Sequence, residues 1–113
     1  MPKILLAIVI SFLACFASAE WAVIGAGNAT CENWVGANQN KKAEILSWMT
    51  GFSSAQNLNF VSENQPGYRL ELLTYDYLTN TINDTCTKSE SSNESMSGIL
   101  FQVLTDFPRE SAK

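Results

Sequence analysis

The sequence predicts a small all-α protein, a four-helix orthogonal bundle with one disulfide. Three observations support this prediction: apolar residues recur at helical spacing, the connections are short and polar, and two cysteines follow an export signal. Short connections between helices imply that chain neighbours pack mostly antiparallel. The predicted organisation is a cleaved signal peptide (1–19), a loosely ordered lead (20–29), a helical domain (30–107) and a C-terminal tail (108–113).

The first 19 residues have the composition of a secretory signal. Lys3 supplies the positive start, residues 4–16 form the apolar run, and residues 17–19 (Ala-Ser-Ala) are a cleavage site. The run is too short for a membrane span, which needs about 20 apolar residues. Cys15 lies inside the signal, but the residues before it fit a lipidation site poorly. We therefore expect a mature chain that begins at Glu20 and is periplasmic or secreted.

The first predicted helix is short and covers residues 30–35. Thr30 is a good N-cap, and Glu32 in the first turn suits the positive end of the helix dipole. In an oxidising compartment Cys31 and Cys86 are expected to form a disulfide. The alternative is two free thiols, one of them reactive, but the chain has no histidine to activate a thiol.

The longest helical pattern covers residues 41–60, after a predicted turn at 38–40. Gly51 lies inside this helix and suggests the close approach of another helix. A loop at 62–67 leads to a helix that starts at 68 or 70 and ends near 87, with Cys86 on its buried face. A polar connector (88–97) precedes a last helix at 98–107, whose residues would also suit a strand. The face of the longest helix comprises Ile45, Trp48, Met49, Phe52 and Ala55.

Composition argues against several classes of function. Removal of Lys3 with the signal leaves six basic and eleven acidic residues, a net charge of −5, and no basic patch. Nucleic acid is therefore not an expected partner. Without histidine, Ser-His and Cys-His nucleophiles are excluded, and two distant cysteines do not have zinc spacing. We predict no enzyme activity, no catalytic residues, no cofactor and no metal.

Three short motifs resemble the HdeA/HdeB acid-chaperone family. They are the helix start Thr30-Cys31-Glu32, the run GFSSAQN at residues 51–57, and Cys86-Thr87. The resemblance covers roughly residues 29–106 and depends mainly on spacing. A wider set of small two-cysteine periplasmic proteins, some of them type VI secretion immunity proteins, has the same architecture. The chain differs from the acid chaperones in its polar connector and in lacking a lysine-rich tail.

The resemblance implies a periplasmic acid-stress chaperone that loosens at low pH and binds denatured clients. Below about pH 3 the carboxylates protonate, so the chain becomes positively charged while its disulfide persists. The alternative is an immunity or inhibitor protein that binds one exported toxin or enzyme, and a third is an envelope protein without clients. The expected partner is a protein; a homodimer is left open, and no membrane contact is expected after signal cleavage. The residues predicted to bind a partner or client are Trp34, Trp48, Phe52, Leu100 and Phe107.

Overall fold

The computed structural model describes residues 25–88 and 93–111, and most of this chain is helical. The predicted small all-α fold with four helices and one disulfide is confirmed. The predicted signal lies outside the described residues. The helices are α1 (Cys31–Val35), α2 (Gln39–Ser62), α3 (Tyr75–Cys86) and α4 (Met96–Thr105). Two 3-10 turns (Ala26–Asn28 and Leu70–Leu72) and a two-residue antiparallel pair, β1 (Gly67–Tyr68) with β2 (Arg109–Glu110), complete the described fold.

Each of the four α-helices begins with a polar side chain that accepts a hydrogen bond from the first turn. The N-caps are Thr30, Asn38, Thr74 and Ser95. Such side chains satisfy backbone N–H groups that have no partner inside the helix. Thr30 also forms a reciprocal capping box with Asn33, which explains how a helix of five residues is stable at its start.

These caps correct three predicted boundaries. The predicted turn at 38–40 is wrong, because Asn38 accepts the Lys41 N–H and the helix is already formed at Gln39. The third helix begins only at Tyr75, since Thr74 caps it there and a 3-10 turn precedes it. The fourth begins at Met96, two residues earlier than predicted, because Ser95 is its cap.

One hydrophobic core joins all four helices. Phe52 and Ala55 of the predicted α2 face are exposed. Ile45, Leu46 and Met49 of α2 face inward, and α3 and α4 cover them. Ser53 is the buried polar residue among them, and its hydroxyl donates to the Met49 carbonyl at 2.8 Å. The core residues include Cys31, Trp34, Ile45, Met49, Leu73, Leu78, Ile82, Met96, Ile99, Leu100, Leu104 and Phe107.

Gly27, in the first 3-10 turn, and Gly51, within α2, have opposite surroundings. Gly27 is buried, and a Cβ atom at this position would overlap the Trp48 ring. The described part of the lead, residues 25–29, is therefore a packed 3-10 turn, where the sequence predicted a loosely ordered segment. Around Gly51 the described chain places nothing within 4 Å of a Cβ, so the close helix contact expected there is wrong within this chain.

The disulfide end of the molecule comprises α1 and the last turns of α3. Cys31 and Cys86 are bonded, with 5.2 Å between their Cα atoms. Beside them, the Trp34 indole N–H donates to Asn83 Oδ1 at 2.8 Å, and the Lys42 ammonium lies 5.1 Å from the centre of the Trp34 ring. The short helix α1 is thus held to α3 by one covalent bond and one buried side chain.

The other end of the molecule is held by a group of contacting residues that we call the clamp: Asn57, Phe60, Pro66, Tyr68 and Arg109. Asn57 Nδ2 donates to the Tyr68 carbonyl at 2.9 Å, and its Oδ1 accepts from the Tyr68 N–H at 2.6 Å. The Arg109 guanidinium lies 3.9 Å from the Phe60 ring centre and donates twice to the Pro66 carbonyl. These contacts attach β1 and β2 to the C-terminal half of α2.

Candidate functional site

The five residues predicted to bind a partner do not form one surface in the folded protein. Trp34, Leu100 and Phe107 are core residues, and Trp34 is only 1% exposed. Trp48 is half-buried over Gly27, and its ring stacks on Phe52 at a centroid distance of 5.5 Å. Phe52 is 42% exposed. The Trp48–Phe52 pair is thus the most exposed part of the predicted set on the described surface.

An open groove of about 570 Å³ lies between the second 3-10 turn, the start of α3 and the end of α4. Its volume is in the range of ordinary ligand pockets, about 300–1,000 Å³. The apolar floor is Phe107, whose ring meets Tyr77 edge-on at 5.9 Å and Tyr68 at 6.3 Å. The groove is lined by Leu72, Tyr77, Gln102, Val103, Asp106, Phe107 and Pro108.

The residues that form the walls of the groove were not among those predicted to bind a partner. Leu72 and Tyr77 are both exposed large apolar residues, although the predicted helix from 68 or 70 includes both. Leu72 points outward because the chain forms a 3-10 turn at Leu70–Leu72 and the helix restarts after Thr74. The signal available in the sequence was Thr74, a good N-cap residue in the middle of the predicted helix.

The charge in the groove lining is acidic. Asp106 is the charged residue of the lining, and Leu72, Tyr77 and Phe107 each directly follow a carboxylate in the chain. Both nearby cations are engaged elsewhere. Arg69 pairs with Glu71 at 2.8 Å and with Glu110 at 3.5 Å, while Arg109 belongs to the clamp.

Glu71, which precedes the groove residue Leu72 in the chain, is stabilised as a carboxylate. A backbone hydrogen bond and the Arg69 guanidinium lower the pKa of Glu71 from its ordinary value of 4.5. A hydrogen bond to the ionised form and an adjacent opposite charge both favour deprotonation. The carboxylate therefore stays negative at neutral pH and in mild acid.

A second, polar cavity of about 650 Å³ lies between the first 3-10 turn, α1 and the start of α2. Two of its three side-chain amides already serve the backbone, since Asn33 completes the capping box of α1 and Asn38 caps α2. Lys41, on the same wall, pairs with Glu44 at 3.4 Å. The polar groups here are explained by helix capping, so this cavity is the weaker candidate.

Within residues 25–88 and 93–111, no cluster of three or more His, Cys, Asp or Glu side chains is arranged to hold a metal ion. Every buried side-chain nitrogen or oxygen of this part of the chain has a hydrogen-bond partner. None of its helices is long and apolar enough to cross a membrane. Of the two cavities, the groove has the more apolar lining and is the stronger candidate for a binding site.

No protein-family model, curated protein or solved structure matches the chain. The resemblance to the HdeA/HdeB family stays a prediction. The structure gives a packing role to the residues of the GFSSAQN run: Phe52 stacks on Trp48, Ser53 is buried, and Asn57 holds β1.

Proposed function

We propose that the protein is a non-enzymatic binding module that recognises one exported toxin or enzyme, in the manner of an immunity or inhibitor protein. The observation that supports this proposal most is the groove, because its apolar walls are formed in the folded state. Apolar side chains around a concave surface are the usual anchors of a specific protein contact. A surface formed before binding also reduces the entropy lost on association.

The charges favour a folded interface over one that appears in acid. None of the carboxylates in the described chain is buried. The three ion pairs among these residues, Lys41–Glu44, Arg69–Glu71 and Arg69–Glu110, are all on the surface. Exposed pairs contribute about 0–1 kcal/mol each. Protonation in acid therefore removes little native stabilisation, and the disulfide remains.

The proposed location is the periplasm or the exterior of the cell. Disulfides form and persist in oxidising compartments and are rare in the cytosol. The Cys31–Cys86 bond agrees with that environment, and the predicted export signal at residues 1–19 would deliver the chain to it.

Affinity capture at pH 7 tests the proposed function. The oxidised mature protein and its Leu72→Glu variant are immobilised and exposed to the exported proteins of the source cell. Leu58→Glu is the matched control, because Leu58 is 74% exposed on α2 and does not line the groove. We expect one stoichiometric partner retained by the wild type and by Leu58→Glu but lost with Leu72→Glu, followed by 1:1 calorimetry with the purified partner. Capture of the same partner by both the wild type and Leu72→Glu would contradict the proposal.

An acid-stress chaperone is the second candidate. Its supporting observation is that Trp34, Leu100 and Phe107 are core residues, so loosening would expose large apolar side chains while the disulfide still tethers α1 to α3. Incubation with an acid-labile enzyme at about pH 2, where carboxylates are protonated, tests this candidate by light scattering. Suppression of aggregation at near-stoichiometric ratio in acid, and none at pH 7, would favour the chaperone over the fixed interface.

A further inference from the structure

We propose that the groove accepts an apolar segment flanked by Lys or Arg in an exported partner protein. This inference rests on the proposed function and names the chemistry of the partner. It combines two properties of the same surface, an apolar floor and an acidic surround. Together these properties select an amphipathic cationic segment over a purely apolar or an acidic one.

The apolar half of the site is built from three elements. Leu72 comes from the 3-10 turn, Tyr77 from the first turn of α3, and Val103 with Phe107 from the end of α4. Phe107 is buried under Tyr77, so the floor is rigid, while Leu72 is 41% and Tyr77 43% exposed at the walls. An inserted apolar side chain would remove these walls from water, which is the main favourable term in association.

The acidic half of the site is centred on Asp106, the carboxylate that lines the groove. Glu71, Asp76 and Asp106 each directly precede a groove residue, and Asp106 itself lines the groove. In the described chain, Asp106 forms none of the ion pairs. A partner cation beside the apolar anchor would therefore meet a carboxylate with no intramolecular competitor.

Neither neighbouring cation is paired with Asp106, the carboxylate of the groove lining. The Arg69 guanidinium is shared between Glu71 and Glu110. Arg109 donates two hydrogen bonds to the Pro66 carbonyl and lies over the Phe60 ring. Across the described chain, nine acidic residues face five basic ones, so the wider field is also negative. Such a field speeds the approach of a cationic partner and weakens with salt.

The charge also argues against a second copy of this chain in the groove. A two-fold dimer brings the same patch of both copies together. A dimer centred on the groove would bring together two surfaces that each carry Asp106 and an excess of acidic residues. Like charges across an interface oppose association, so a partner of opposite charge is the better occupant.

Peptide titrations with the oxidised mature protein at pH 7 test the inference. The probes are a fluorescent amphipathic Leu/Lys peptide and a matched Leu/Glu peptide of the same length, followed by anisotropy. We expect the Leu/Lys peptide to bind, the Leu/Glu peptide to bind at least about tenfold more weakly, and the preference to shrink in about 0.5 M salt. Leu72→Glu should weaken the Leu/Lys complex at least about tenfold, whereas Leu58→Glu should leave it unchanged.

A charge-reversal variant separates the two halves of the site. Asp106→Lys should weaken the Leu/Lys peptide and strengthen the Leu/Glu peptide, while near-UV circular dichroism stays that of the folded protein. Equal affinity for both peptides, with both lost in Leu72→Glu, would overturn the charge preference and leave the proposed protein-binding function standing. Equal losses with Leu72→Glu and Leu58→Glu, or no peptide binding at all, would overturn the groove as the site.

Sedimentation of the unliganded protein completes the test. A dimer that Leu72→Glu dissociates would identify a second copy as the occupant and overturn the inference. A monomer agrees with it. The capture experiment on exported proteins is independent of these peptides, so its failure would count against the proposed function, whichever peptide binds.

Discussion

The two ends of this molecule are held by different kinds of interaction. At the disulfide end, a covalent bond joins residues 55 positions apart, and the buried Trp34 side chain lies beside it. At the clamp, Asn57 and Arg109 hold β1 through hydrogen bonds and aromatic contacts that are partly exposed to water. The groove lies next to the clamp, since Phe107 contacts Tyr68. The disulfide end therefore stabilises the fold, while the clamp positions the surface that we propose for binding.

The largest expected loss of stability is that of the double variant Cys31→Ser/Cys86→Ser. It removes the disulfide and leaves no unpaired thiol in the mature chain. A cross-link over this separation stabilises the fold by about 4 kcal/mol in the chain-entropy model. For a small domain with a total stability of about 5–15 kcal/mol, this loss is severe. Urea denaturation at pH 7 measures it. An unchanged midpoint would remove the distinction between the two ends.

The clamp predicts a smaller but clear effect for Asn57→Ala. The substitution leaves the Tyr68 N–H and carbonyl without their side-chain partner, at a cost of about 1–3 kcal/mol. Asn59→Ala is the matched control, because Asn59 is exposed on the same helix. The two urea midpoints should differ clearly, and coincident midpoints would show that the clamp contributes nothing to stability.

Substitution of Gly27 and Gly51 should have opposite effects on stability, because one lies in packed and the other in open surroundings. Gly27→Ala forces the Trp48 ring to move and should cost about 1–3 kcal/mol, with a shift in tryptophan emission. Gly51→Ala lies in open space within α2 and should stabilise the helix by up to about 1 kcal/mol. Opposite changes in thermal midpoint are expected. A destabilising Gly51→Ala would reveal a contact of this face that the single chain does not make.

The smallest expected effect concerns pH. The pKa of Glu71 is lower in the folded protein than its ordinary value of 4.5, so its contribution is complete above that value. As the pH falls through the folded pKa, both states are protonated and the contribution is lost. Glu71→Gln should therefore reduce stability slightly at pH 7, and this difference should shrink as the pH falls below 4.5. If Glu71→Gln reduced stability more in acid than at pH 7, the result would contradict the lowered pKa of Glu71.

Local signals in the sequence predicted the fold well where neighbours in the chain determine it. Thr30 and Glu32 predicted α1, and the spacing of Ile45 and Met49 predicted the buried face of α2. Asn38 was misread, because three polar residues in a row suit a turn as well as a cap and first helical turn. Only the Asn38 side-chain contact with the Lys41 N–H distinguishes the two.

The groove and the clamp depend on contacts between distant residues, which one sequence does not reveal. Arg109 donates to a carbonyl 43 positions away, and no periodic pattern links the two. Phe107 was predicted as a binding residue, but the structure makes it the floor of a groove whose wall is Leu72. That wall exists because Thr74 interrupts the predicted helix, a local event with a tertiary consequence.

Native-state hydrogen exchange tests whether the two ends of the molecule are stabilised separately. It also tests whether local opening of the clamp opens the groove. Amide protection is measured by NMR in the oxidised wild type, Cys31→Ser/Cys86→Ser and Asn57→Ala. Subglobal opening makes each end separately observable. We predict that loss of the disulfide lowers protection mainly at Trp34, and that Asn57→Ala lowers it mainly at Tyr68 and Phe107. The same set of amides losing protection in both variants would contradict the claim.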